Sequence, residues 1–250
     1  MSGNEAPRVR LADYRNIVIL TGAGISVASG IRPYRGPDGL WNDETLVRYS
    51  NIATFDTDPL GVWRHWWKMR ELGLMAKPNA AHTALAEAEA SLPSGTRFTL
   101  VTQNVDGLHS AAGSTSVIEY HGSGMRSRCS NPACSLPPFL DLQCSGDAVP
   151  LCQHCGAPLR PDIVLFGEAI PPAAAEAVDD ALDSCDLFIA VGTSGTVWPA
   201  AMFVNVAGSR GARTIYLNLR PLASLGGSGS FDEEYIGPAE VLLPQMLSHR

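Results

Sequence analysis

Four of the six cysteines stand as two close pairs, Cys129-x4-Cys134 and Cys152-x2-Cys155, with 17 residues between them. Four thiolates at such spacing can close a tetrahedral zinc site at about 2.3 Å per Zn–S bond, and four protein ligands leave no open position, so the site reads as structural. The surrounding Pro/Gly-rich segment is poor in apolar residues, and a metal would supply the folding energy it lacks. Cys144, between the pairs, is a competing ligand. Cys185 heads an apolar run and reads as a buried, inert thiol. Outside this cluster the group best suited to proton transfer is His121, in EYHGS. A neutral imidazole near pH 7 can serve as a general base. A lone histidine is more often a satisfied structural residue, and His65, His82, His109, His154 and His249 compete for the role. Position favours His121, because it leaves an apolar run and is followed by Gly122.

A second set of polar residues follows other apolar runs. Residues 16–20, NIVIL, lead into Gly22, Ala23 and Gly24 and then a short helical stretch beginning at Ile25. A strand entering Gly-x-Gly and a helix forms a phosphate cradle, since glycine lets backbone approach a pyrophosphate and helix N-terminal amides point at the anion. The third glycine of G-x-G-x-x-G is absent, position 27 being Val, so these residues alone fit an ordinary strand–turn–helix corner equally well. After FTLV come Gln103, Asn104, Val105 and Asp106, where an amide beside a carboxylate suits a ligand carrying a carboxamide, such as nicotinamide. The bland alternative is an Asn/Asp turn. Gly192, Thr193 and Ser194 follow DLFIAV, and Asn218 follows TIYL; small hydroxyls and an amide there suit ribose and phosphate.

These groups need strands to deliver them. With 250 residues, 45% of them hydrophobic and 17% charged, the chain can bury a sizeable core. The net charge of −7 argues against a general nucleic-acid or anionic-membrane binder, no apolar run approaches a bilayer span, and the N-terminal residues show no signal-peptide pattern. A cytoplasmic protein is expected. Apolar runs at 16–20, 98–101, 117–120, 162–166, 186–191 and 214–219 alternate with helical stretches at 59–75, 80–91, 173–184, 200–209 and 240–250. The runs are apolar on both faces, which predicts an α/β fold with a Rossmann-like, doubly wound parallel sheet. Ligands of such sheets bind beyond the carboxyl ends of the strands, where the polar clusters fall.

Taken together, GAGIS-x3-GI-x3-R, QNVDGLH, HGS, the four-cysteine module, PDIVLFGE, GTS and LNL resemble the sirtuins, NAD-dependent protein lysine deacylases, over nearly the whole chain. GIRPYRGPDGLW, APLRPDIVLFGE and YIGPA look most like the bacterial and desuccinylase-like classes. The resemblance implies a Rossmann-type large domain (about 9–37, 77–122 and 161–250). It also implies a small domain built from a helical insertion (38–76) and a zinc-binding one (123–160). It implies NAD as cosubstrate, one structural zinc ion, and an acyl-lysine protein or peptide as partner; it leaves the oligomeric state open, a monomer included. Gly22, Ala23, Gly24, Ile25, Arg35 and Trp41 would hold NAD together with Gln103, Asn104, Val105 and Asp106. So would Gly192, Thr193, Ser194, Asn218, Leu219, Arg220 and the backbone of Ala239. Asn104 and Asp106 would orient the carboxamide, Gln103 the nicotinamide ribose, and His121 would be the base. The peptide would add as a strand along Val164, Leu165, Phe166, Gly167 and Glu168, facing the segment after Gly195. Products would be free lysine, nicotinamide and O-acyl-ADP-ribose.

One departure bears on the acyl group. Desuccinylase-like sirtuins carry Tyr and, three residues later, Arg on the helix after Asp/Asn-Pro; counted from Pro59, those positions are Trp66 and Met69. Met does not neutralise a carboxylate, and burying an unpaired charge is costly. Acetyl or another neutral acyl group is therefore expected. Trp67 and Arg70 keep the aromatic-x-x-Arg spacing one residue on, so a helix turned by about 100° would restore an acid site and a desuccinylase or demalonylase. Trp66 and Met69 as plain core is the bland alternative. NAD-dependent ADP-ribosyl transfer and a non-catalytic NAD-sensing module are the competing functions.

Overall fold

The computed structural model describes residues 8–33, 39, 43–226 and 230–247. Among them the strands are β1 (Asn16–Thr21), β2 (Arg97–Thr102), β3 (Val117–Glu119), β4 (Gly122–Cys129), β5 (Phe139–Leu140), β6 (Leu159–Ile163), β7 (Leu187–Val191), β8 (Arg213–Asn218) and β9 (Glu233–Ile236). The helices are α1 (Glu44–Tyr49), α2 (Ile52–Thr57), α3 (Pro59–Met75), α4 (Ala80–Ala90), α5 (Leu108–Ala111), α6 (Pro172–Asp183), α7 (Phe203–Ser209) and α8 (Ala239–Leu247). None of the described helices is long and apolar enough to cross a membrane.

Successive residues of a strand face opposite sides of its sheet, so an unbroken apolar run must be covered twice. Ile17 and Ile19 of β1, with Leu187, Ile189 and Val191 of β7, pack into one core cluster, to which α4 and α8 contribute. Val18, Leu20, Phe188 and Ala190 pack into a second, with residues of α6 and α7. The six-stranded sheet between these layers is parallel throughout, in the order β3-β2-β1-β7-β8-β9. Chain order runs outward from β1 in one direction and from β7 in the other. The crevice between their carboxyl ends is thus the topological switch point, where such sheets bind ligands.

Two readings of the sequence need correction. The run at 162–166 belongs to no strand of the parallel sheet: β6 pairs antiparallel with β4 in a separate sheet ordered β5-β4-β6. The expected domain boundary at 160/161 therefore falls inside β6. An apolar run reports burial without naming the sheet that provides it. β9 was not expected at all, because Glu233 and Glu234 break its apolar pattern; Glu233 is paired with Arg213 of the neighbouring strand at 2.6 Å.

The small sheet is joined to the rest by α3, which carries two stripes of the same spacing. Val62, Trp66 and Met69 pack with Phe55, Ile163 and Leu165. One residue further round, Trp63 and Trp67 pack with Cys129, Cys152 and Leu159, and the Trp63 indole N–H donates to the Leu159 carbonyl at 2.8 Å. Arg70 completes this second stripe. It is 2% exposed, donates to the carbonyls of Gly124 (2.7 Å) and Gln143 (2.9 Å), and pairs with Asp141 at 3.0 Å. Its guanidinium also lies over the Trp63 ring.

The four sulfurs of Cys129, Cys134, Cys152 and Cys155 lie within 4.8 Å of one another, with Cys129–Cys155 at 3.5 Å and Cys134–Cys152 at 3.7 Å. A tetrahedron with Zn–S bonds of about 2.3 Å has edges of about 3.8 Å, so the cluster fits one structural zinc ion. Cys144 stands outside the cluster, its thiol on the Leu142 carbonyl. Burial pushes the Cys185 thiol up to about 12, which makes it a poor nucleophile and ligand.

Behind the crevice lies a buried pair of rings, His82 and His109, with centroids 4.9 Å apart. His109 Nε2 is 2.9 Å from the Thr21 hydroxyl, and His82 Nδ1 accepts from the Asn79 N–H at 3.3 Å. Burial lowers both, His82 to about 4 and His109 to about 3.

Two tests follow from this packing. Arg70→Ala strips a buried charge of its role in holding three carbonyls and an aspartate, and should lower unfolding free energy by about 3 kcal/mol or more in urea titration; a loss under about 1 kcal/mol would contradict the assignment. For the histidine pair, the unfolded rings bind protons below about 6.5 while the folded ones stay neutral, so stability falls with decreasing pH. The expected loss by pH 5 is about 2 kcal/mol per ring, and a His82→Gln variant should show a shallower slope between pH 6.5 and 5.

Candidate active site

At the switch point a cavity of about 920 Å³ opens, near the upper end of the size range of small-molecule sites. Its floor is made of strand ends. Gly22, Ala23 and Gly24 follow β1, Gln103, Asn104 and Val105 follow β2, Gly192, Thr193 and Ser194 follow β7, and Asn218, Leu219 and Arg220 close β8; all of them line it. After Gly22 the chain enters a 3-10 helix at Ala23–Ser29, ended by Gly30 in the left-handed region at φ 87°. Ile25, expected at this wall, is instead fully buried in the core, and Ala239 is buried at the start of α8. Arg35 and Trp41 lie outside the described residues.

The polar groups of the floor are fixed by one another. Asn104 Nδ2 donates to the Gly22 carbonyl (3.2 Å) and to the Ser26 hydroxyl (3.1 Å). Ser26 in turn donates to Asp106 Oδ2 at 2.7 Å, and the Leu108 N–H donates to Asp106 Oδ1 at 3.0 Å. Burial raises the Asp106 carboxyl against these bonds, which hold it down. Asp106 thus sits behind the wall and acts on it through Ser26. Ser26 was given no role from sequence, although it is the serine of the GAGIS motif. The Thr193 hydroxyl donates to Gln103 Oε1 at 2.9 Å, and Asn218 Nδ2 donates to the Thr193 carbonyl at 2.8 Å.

His121 lines the cavity between β3 and β4, with Nδ1 3.0 Å from the Gln103 carbonyl. A carbonyl only accepts, so Nδ1 carries the proton and Nε2 keeps a lone pair. Burial lowers this histidine below its ordinary value of 6.5, more than the bond to Gln103 restores. A neutral, oriented base is the result.

The opposite wall is the segment 163–168. The Val164 N–H donates to the His121 carbonyl at 2.9 Å, and the Phe166 N–H to the Ser50 carbonyl at 2.8 Å. Glu168 turns back on its own segment, accepting from the Leu165 N–H at 2.7 Å and from both terminal nitrogens of Arg160 at 2.6 Å. Val164, Leu165, Phe166, Gly167 and Glu168 all line the cavity. Part of its lining is apolar, an arm of the wall made by Trp66, Ile163 and Leu165; Met69 packs in the same cluster without lining the cavity. Arg70 does not reach this arm, its donors being spent on the far side of α3. The turned helix that would restore an acid-binding site is absent.

Comparison with known proteins agrees with this geometry. The NAD-dependent protein deacylase of Escherichia coli strain K12 is 42% identical over 238 residues, covering 92% of this chain and 80% of that protein. A solved Sir2 homolog–NAD complex superposes with a TM-score of 0.84 at 34% identity, covering 97% and 94% of the two chains. A Sir2 structure bound to acetylated peptide superposes at 0.77 with 29% identity, covering 94% and 93%. The model of the Sir2 family matches residues 22–199, most of the cavity floor and the whole cysteine module among them, and the chain belongs to that family.

Proposed function

We propose that this protein removes neutral acyl groups from lysine side chains of proteins or peptides, consuming NAD and releasing nicotinamide and O-acyl-ADP-ribose. One observation carries the reading: His121, its tautomer fixed by the Gln103 carbonyl, stands in a dinucleotide-sized cavity whose lining also includes the apolar Trp66, Ile163 and Leu165. The relatives named as NAD-dependent deacylases and the solved complexes with NAD and with acetylated peptide support it. The cleft lies between the large domain (9–37, 77–122 and 161–250, less β6) and the small one (38–76 and 123–160, with β6).

NAD supplies a ribose carbon made electrophilic by its nicotinamide leaving group. The chain's own residues then do four things. Gly22, Ala23 and Gly24 bring backbone close to the diphosphate, with Thr193, Ser194 and Asn218 on the ribose and phosphate side. Asn104, pinned by Gly22 and Ser26, orients the carboxamide, with Asp106 acting through its own bonded frame. Gln103 holds the nicotinamide ribose, and His121 Nε2 takes a proton from a ribose hydroxyl. Segment 164–168 receives the peptide as an added strand, and Trp66, Ile163 and Leu165 make the acyl arm apolar, with Met69 packed in the same cluster.

The pH dependence should follow the tautomer. Because burial lowers His121 below its ordinary 6.5, the acid limb of kcat/KM should have its midpoint below 6.5. His121→Ala should lower kcat about a hundredfold or more, with NAD binding by calorimetry changed far less.

The decisive experiment is an acyl panel. Matched lysine peptides carrying acetyl, butyryl, longer apolar and succinyl groups are incubated with NAD, and O-acyl-ADP-ribose is detected by mass spectrometry. Product from neutral acyl groups and little from succinyl is expected. Dominant succinyl turnover would refute the acyl preference alone; nicotinamide release without any O-acyl product would move the assignment to ADP-ribosyl transfer.

A further inference from the structure

The sheet order sets the parts of the cavity floor in a line. Gln103 and Asn104, after β2, lie on one side of the switch point, with His121 beyond them. The glycines after β1 and β7 stand at it, and β8 ends on the other side. A dinucleotide with its nicotinamide at Asn104 and its diphosphate over the glycines carries its adenosine toward the end of β8. That placement rests on the NAD site of the reading above and is independent of the acyl arm.

The end of β8 contributes Asn218, Leu219 and Arg220 to the cavity lining. Asn218 is turned inward. Its Nδ2 donates to the Thr193 carbonyl (2.8 Å) and to the Tyr216 hydroxyl (2.6 Å), so both amide protons are spent. Its Oδ1 accepts from the Leu219 N–H at 2.8 Å. Leu219 is apolar and exposed. Arg220 is exposed as well, and its guanidinium has neither an ion pair nor a hydrogen bond among the described residues.

The carboxylates nearby are either committed or outside the cavity. Among the described lining residues Glu168 alone is acidic; it belongs to the opposite wall and is held by Arg160. On the β9 side, Asp232 accepts from the Thr214 N–H and hydroxyl, and Glu233 is paired with Arg213. Glu234 stands opposite Tyr216 in the strand register, and none of these three lines the cavity. Rossmann-type sites that select NAD place a carboxylate on the adenosine ribose, where it accepts from the 2′-hydroxyl; an arginine there accommodates a 2′-phosphate instead. A free guanidinium is a planar fork of N–H donors that matches the oxygens of a phosphate.

We propose that Arg220 forms a site for a phosphate on the 2′-oxygen of the adenosine ribose, so that the cavity binds NADP as well as NAD. The ligand class is the 2′-phosphorylated dinucleotide, and Arg220 is the residue that admits it.

The test measures the affinity of the full chain for NAD and for NADP by calorimetry at one fixed salt concentration, without peptide. The same titrations are run on Arg220→Gln and Arg220→Glu, and the quantity read is the ratio of the two dissociation constants within each protein. Wild type should bind NADP within about tenfold of NAD, with NADP displacing NAD. The loss of one charge-assisted bond should shift the ratio against NADP by about tenfold in Arg220→Gln, and repulsion should shift it further in Arg220→Glu. Equal weakening of both dinucleotides, with the ratio unchanged, would place Arg220 on the shared diphosphate and overturn the proposal. So would a wild-type protein that binds NAD and leaves NADP unbound. Binding of neither dinucleotide overturns this site and the NAD reading together. A ratio that shifts as expected, while no peptide yields O-acyl product, upholds the site and overturns the deacylase reading alone.

Discussion

Gly22, Gly24 and Gly192 bring the carboxyl ends of β1 and β7 closer together than any larger residue permits. A Cβ at Gly24 would lie 2.7 Å from both the Cα and the oxygen of Gly192, and one at Gly22 would lie 2.9 Å from the same oxygen. At Gly192 a Cβ would meet the Ile25 nitrogen at 2.5 Å, on a backbone already at φ 61°. The approach is used in full. The Gly24 N–H donates to the Gly192 carbonyl at 2.8 Å, the Gly22 N–H to that of Val191 at 3.0 Å, and the Gly192 N–H to that of Leu217 at 2.9 Å. Three strand ends are thereby bound into one rigid floor without a side chain in the contact. Side-chain substitution here would separate the strands, and every group of the cavity is placed relative to them.

On that floor the polar side chains are held before any ligand arrives. Asn104, Ser26 and Asp106 form a chain of bonds from β2 across to the turn after β1, and Thr193 to Gln103 ties β7 to β2. His121 is oriented by a backbone carbonyl, which no protonation change can remove. Groups fixed in this way need little rearrangement in the transition state, the condition under which electrostatic stabilisation is most effective. Beneath the floor His82 and His109 are buried, and Asp106 is half-buried behind it, held by Ser26 and the Leu108 N–H.

The sequence made most of this architecture legible where a single physical rule applied. Runs such as NIVIL in β1 and LFIAV in β7 are apolar on both faces, and only a doubly covered sheet accommodates them. The cysteine pairs were legible because metal geometry constrains spacing. Other features needed information that a chain read in one dimension lacks. Helices α1 and α2 have six residues each, too few for a period, although Asp43 and Asn51 cap them and were available as signals. β6 showed its burial but not its partner. β9 is an edge strand whose Glu233 is matched by Arg213, a relation between distant residues. The choice between Met69 and Arg70 at the acyl arm was undecidable from spacing, since neighbouring residues on a helix repeat the same pattern 100° apart.

That last ambiguity shows how the two halves of the molecule depend on each other. Helix α3 packs Val62, Trp66 and Met69 into the cluster that backs the acyl arm, which Trp66 itself lines, and turns Trp63, Trp67 and Arg70 to the cysteine module. The rotation of the helix about its axis is therefore set mainly on the module side. There Arg70 is held by three carbonyls and an aspartate, and Trp63 is bonded to β6, whereas apolar side chains on the arm side tolerate sliding. The zinc cluster stands against this same stripe through Cys129 and Cys152. A structural ion with no open coordination position can thus influence which acyl group fits, by fixing the helix that carries Trp66. The strand-end floor, built from backbone contacts of the large sheet, stays outside that dependence.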